Sequence, residues 1–157
     1  MERLFRYTLT LLISLLALGQ FVQIVTRYIL EIPVMGLEEA LIYPTLWLYM
    51  LGAVNASREN TQIRANVLDL FLKSQLSHRV LAAISDLISL IVGCWLFYWI
   101  WDFAKYILRV QKESPTLYWP TVYADFALVV GMGLVLFYTA FHLFTQIRDI
   151  AAEIKHG

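Results

Sequence analysis

Long stretches without a charge decide what this chain can fold into. From about Tyr7 to Ile29 the sequence is apolar, interrupted only by Gln20, Gln23 and Arg27 near its far end. A helix rising about 1.5 Å per residue over that length matches a bilayer hydrocarbon core of about 30 Å. Further apolar stretches cover about 40–56, 80–107 and 122–144. The second is the shortest, reaching about 26 Å, which suffices if its ends are anchored. With 60% hydrophobic and 15% charged residues over 157 positions, no separate soluble domain fits. The expectation is an all-α integral membrane protein, a single domain over 1–157 with four transmembrane helices.

Several function classes fall away on residue chemistry. Lys and Arg number twelve, balanced by twelve acids and scattered in ones and twos, so no concentrated basic surface exists for nucleic acid. The single Cys94 forms neither an internal disulfide nor a CxxC redox or zinc site. A bis-histidine haem needs two buried imidazoles, yet only His142 lies within a span, with His78 and His156 near or beyond span ends. No HExxH, GxSxG or P-loop pattern occurs. The chain reads as a non-enzyme without a cofactor. Asp86 is the one deep carboxylate, but it sits only about 9 Å past Val80 along the third helix. It is expected to pair with Arg58 or Asn55 near one end of the bundle, rather than to relay protons at mid-bilayer.

Orientation follows from the basic residues. With a cytoplasmic N-terminus, Arg3, Arg6, Arg58, Arg64, Lys73, Arg79, Arg148 and Lys155 lie inside, against Arg27, Lys105, Arg109 and Lys112 outside. Both termini are then cytoplasmic. Between the second and third spans, Ile63, Val67, Leu70 and Phe71 share one helical face while Arg64, Asn66, Asp69 and Lys73 take the rest. This predicts an amphipathic interfacial helix over about 61–74, resting on lipid headgroups, on its own bundle or on a partner. The other connection, QKESPTLYWPTVY, is bracketed by Pro115 and Pro120 and reads as a stiff, extended turn.

Packing signals mark the second, third and fourth spans. Gly52, Ala53 and Ala56, then Gly93, then Gly131 and Gly133 allow close helix approach, which in lipid depends on small residues. Asn55 and Gln23 can add interhelical hydrogen bonds, and Pro44 predicts a bend in the second span. Glu38 and Glu39 open that span. Adjacent residues point about 100° apart around a helix. One acid can complement the helix N-terminus while the other meets Arg27 or a basic residue of a neighbouring subunit.

These motifs together resemble the small membrane subunit of tripartite ATP-independent periplasmic (TRAP) transporters. Arg27 and Tyr28 end the first helix; Glu38 and Glu39 open the second, which closes in LGAVNASR, Leu51 to Arg58. SPTLYWP, Ser114 to Pro120, and Gly131 fall where the family places a Ser-x-x-Leu-x-x-Pro turn and a glycine. Leu37 stands where the family often has Trp, and Gln62 and Asn66 where it often has His and Asp. The resemblance implies a non-catalytic subunit in the bacterial inner membrane, partnered by a large many-span transport subunit and a periplasmic solute-binding protein. Sodium-coupled uptake of organic acids would then be the work of those partners. On this reading the subunit-interface or structural candidates are Arg27, Tyr28, Glu38, Glu39, Trp47, Gly52, Asn55, Arg58 and Asp86. A membrane anchor of a redox or other enzyme complex, or a self-sufficient small transporter, would share the same four helices.

Overall fold

A computed structural model describes residues 2–32, 34–61 and 75–156. The described residues form four long helices and one short π-helical turn: α1 (Glu2–Ile24), the turn Val25–Ile29, α2 (Leu37–Arg58), α3 (Gln75–Val110) and α4 (Val122–His156). The interfacial helix expected at about 61–74 lies outside the described residues apart from Thr61.

Among the described residues, three helical stretches are long and apolar enough to cross a membrane: Arg3–Ile29, Val80–Val110 and Val122–Ala152. The expected second span is helical, over Leu37–Arg58, but does not reach the same apolar threshold. Its composition explains this, since Tyr43, Pro44, Trp47, Tyr49 and Asn55 dilute the aliphatic content. Pro44 withholds the amide that would bond the Ala40 carbonyl, yet the helix runs through it without a break. α3 and α4 extend well beyond the expected limits at 80–107 and 122–144.

The helices pack in the order α1, α2, α4, α3. That is an open row rather than a closed bundle. Each joint is built on small residues. A Cβ at Gly19 would lie 2.5 Å from a Leu41 methyl, joining α1 to α2. One at Gly131 would lie 2.6 Å from Met50 Cβ, joining α2 to α4, and one at Gly93 would lie 2.5 Å from Leu136, joining α3 to α4. Ala124 and Ala127 on α4 and Val54 on α2 are buried at the centre of the row. Because helices in lipid gain nothing from hiding apolar atoms, this close backbone approach supplies the dispersion contacts that hold the row. An open row leaves wide apolar faces uncovered, and no described residue of α1 is fully buried within the chain.

Polar contacts reinforce the α2 to α4 joint. Thr139 and Ser57 hydroxyls lie 3.3 Å apart, and Ser57 Oγ donates to the Val135 carbonyl at 3.3 Å. A hydroxyl has one proton, so Thr139 must donate to Ser57. Trp47 Nε1 donates to the Tyr123 carbonyl at 3.1 Å. His142 Nε2 stands 3.1 Å from the Arg58 carbonyl, and since a carbonyl only accepts, that nitrogen carries the proton.

Candidate functional site

The residues that drew notice in the sequence converge at one end of the row, where α1 stops and α2 starts. α1 ends in a π turn, closed by Leu30 N–H donating to Val25 O at 3.0 Å. Such a widened turn changes the helical register and is frequent at functional positions. Arg27 sits in it, with Nη1 3.1 Å from Glu38 Oε1. Gln23 Nε2 donates to the same oxygen. Tyr28 is exposed, with its ring centroid 5.9 Å from the Arg27 guanidinium carbon. Both members of the Arg27–Glu38 pair are mostly exposed, so the pair guides α1 against α2 more than it stabilises it.

α2 begins at Gly36, whose φ of +87° suits only glycine, and a Cβ there would also strike Leu117 at 2.7 Å. The N-cap offers no side-chain hydrogen bond. Glu38 and Glu39 therefore stand in the first turn beside unpaired amides, where negative charge is favoured.

Glu39 takes a different role from Glu38. Its carboxylate reaches the loop between α3 and α4, where Ser114 Oγ, the Thr116 amide (3.0 and 3.2 Å) and the Leu117 amide (3.1 Å) all donate to it. The Ser114 hydroxyl foremost, outweighing the desolvation that comes next and opposes it, and joined by Thr116 and Leu117, holds its carboxyl down to about 2 from the ordinary 4.5. The loop is not the extended turn that two prolines suggested. Residues 112–121 fold back as a small hairpin: Ser114 N–H donates to Trp119 O at 2.8 Å and Thr121 N–H to Lys112 O at 2.9 Å. Tyr118 adopts a left-handed φ of +55° at its tip. Tyr43 Oη, one turn past Glu39 on α2, lies 3.3 and 3.2 Å from the Trp119 and Pro120 carbonyls, which share its one proton. The hairpin is thus pinned to α2 by two side chains, and Tyr118 and Trp119 project from it, exposed.

Sequence reasoning missed this clamp. Its signal was present, because Pro115 has no amide and cannot compete, leaving Thr116 and Leu117 as consecutive free donors. A turn with two aligned donors is an anion nest. Nothing in the sequence says which acid fills it from 75 residues away.

The remaining candidates lie elsewhere. Arg58 is at the other end of α2, 2.9 Å from its neighbour Glu59 and 4.9 Å above the centroid of the Phe5 ring. Asp86 is buried and accepts from Gln146 Nε2 of α4 at 2.8 Å, so its described partner is neither Arg58 nor Asn55. Asn55 makes no side-chain hydrogen bond among the described residues, whereas Gln23 does bridge α1 to α2. Gly52 is unlike the other glycines: nothing lies within 4 Å of where its Cβ would be. It floors an open groove between α1 and α2, walled by Leu9, Thr10, Ile13, Leu48 and Tyr49.

No curated protein matches the chain. The family described as tripartite ATP-independent periplasmic transporters, DctQ component, matches residues 16–149. The chain belongs to that family, and is a small membrane component of a TRAP transporter.

Proposed function

We propose that the chain is the non-catalytic subunit that braces a large transport subunit in the bacterial inner membrane, one copy of each per complex, with its hairpin end helping to dock a periplasmic solute-binding protein. The transporter it serves is a sodium-coupled symporter for organic acids. The observation that carries this reading is the family match over most of the chain, and with it the carboxylates of Glu38, Glu39 and Asp86 are engaged in contacts between helices and loops. Solute and sodium sites belong to the large subunit.

The architecture supports the bracing role. α1 and α3 stand at the two ends of the row with one flank each against the chain itself, leaving apolar surface for another polypeptide or for lipid. The groove above Gly52 is the seat for a helix of the large subunit, since it combines an open glycine with apolar walls. α2 is the fourth span, carried across by its neighbours although it is less apolar than they are. Both termini face the cytoplasm, which puts the hairpin and the Arg27–Glu38 pair outside.

Mild-detergent affinity purification from native membranes, with mass spectrometry of what accompanies the chain, tests the proposal. A large many-span protein in near-equal amount is expected. Recovery of the chain alone, or with a redox enzyme, would overturn it.

A further inference from the structure

The hairpin roofs a cavity of about 360 Å³ between the first turns of α2 and α4 and the last turns of α3. Its walls are of two kinds. Ile42, Phe103, Ile107 and Val110 make one part apolar, while Lys112, Glu113 and Asp125 also line it. None of these three charged groups forms an ion pair among the described residues, whose ion pairs join Arg27 to Glu38, Arg58 to Glu59, Lys105 to Asp102 and Arg148 to Asp149. Glu39 borders the cavity too, but its carboxylate is engaged by the hairpin.

Depth identifies what reaches such a cavity. The apolar stretches of α3 and α4 end at Val110 and begin at Val122. The last turns of α3 already carry Asp102, Lys105 and Arg109, so the cavity lies where the apolar spans give way to headgroups, with Lys112 and Glu113 just past the end of α3 and Asp125 in the first turn of α4. The size is that of a small-ligand site. Charge narrows the choice further. One cation and two unpaired carboxylates suit a ligand carrying an ammonium and a phosphate on an apolar body. A carboxylate solute or a purely anionic lipid would set its charge against the two acids with only Lys112 to offset them.

We propose that this cavity binds one phospholipid with a primary-amine headgroup. The ammonium donates to Asp125 and Glu113, the phosphate accepts from Lys112, and the start of an acyl chain lies along Ile42, Phe103 and Ile107. Charge-assisted hydrogen bonds of this kind are stronger than neutral ones and give the site its headgroup preference. Lipid held there wedges the hairpin end of α3 against α2, a joint that the helix row otherwise leaves thin. The inference rests on α3 and α4 crossing the membrane and not on the identity of the transport partner.

The test uses the full chain, purified in mild detergent, stripped of lipid and titrated separately with phosphatidylethanolamine and phosphatidylglycerol, with bound lipid counted by native mass spectrometry. One phosphatidylethanolamine per chain is expected at concentrations where phosphatidylglycerol does not bind. Lys112→Ala and Asp125→Asn should each weaken it about tenfold, the worth of one charged hydrogen bond. Arg148→Ala, at the far end of α4, should leave binding unchanged. Circular dichroism and a single elution peak check that each variant folds. Where one does not, Val110→Trp fills the apolar part of the cavity with every charge retained, and should displace the lipid. Equal retention of both lipids, the absence of saturable binding, or affinity indifferent to Lys112→Ala and Asp125→Asn would overturn the proposal. A chain that fails to embed would retain neither lipid and would also elute as aggregate, which separates that failure from failure of the site.

Discussion

Glu39 places a carboxylate against three donors of a hairpin 75 residues away, and its protonation is the most direct handle on that end of the molecule. A carboxyl whose pKa falls on folding contributes stability above its ordinary pKa and loses it as pH drops toward the folded value. The clamp should therefore be constant at neutral pH and weaken from about 4.5 down to about 2. Hydrogen-exchange protection of the Thr116 and Leu117 amides, corrected for intrinsic rate, will follow that window. Glu39→Ala should lower this protection several-fold at neutral pH, and Glu39→Gln should remove its acid dependence, because no proton is left to bind. Arg27 and Glu38 behave differently, since their pair is exposed. Either single charge reversal should change the chain's own stability by less than about 1 kcal/mol. The doubly reversed Arg27→Glu, Glu38→Arg chain should recover co-purification of the large subunit if the pair's task is to set α1 against α2. Failure of the double variant to recover what each single one loses would assign those charges to direct contact with the partner.

Glycines at the level of the helix serve two purposes, and the structure tells them apart. Gly131 lets α4 approach Met50 of α2 backbone to side chain, so Gly131→Leu overpacks a closed joint and should destabilise the chain by about 1–3 kcal/mol in detergent unfolding. Gly52 faces open space. Gly52→Leu should leave the chain's own unfolding unchanged while cutting recovery of the large subunit in the affinity purification. Equal loss of stability in the two variants would remove Gly52 from the interface. α2 also marks the limit of reading spans from composition. An uncharged stretch at about 40–56 marked it as a span, and the structure extends the helix to Leu37–Arg58, but a helix diluted by aromatic residues, Pro44 and Asn55 carries no decisive membrane signal of its own. Where it sits depends on Trp47, Ser57 and Gly131 holding it to α4.

At the scale of the whole molecule, an open row of four helices has one consequence that composition cannot supply: two broad apolar faces remain for lipid and for another protein. Cysteine-reactive labelling from each side, on a Cys94-free chain carrying single cysteines at Tyr118 or Asp149, should report the hairpin outside and the end of α4 inside; labelling of both from one side would overturn the topology. The sequence by itself determined the class of molecule and three membrane-length helices, because bilayer thickness, helical rise and the cost of buried charge act on each segment separately, and its short motifs marked the family. It offered Arg27 or a neighbouring subunit as the partner of one acid, and the structure pairs Arg27 with Glu38 across the short connection between α1 and α2. The tertiary structure alone decided the order of the row, the choice of Glu39 rather than Glu38 for the hairpin, the Gln146 partner of Asp86 and the emptiness above Gly52. Each of these depends on which side chains meet across helices far apart in sequence, and that is set by the packing of all four helices together rather than by any one of them.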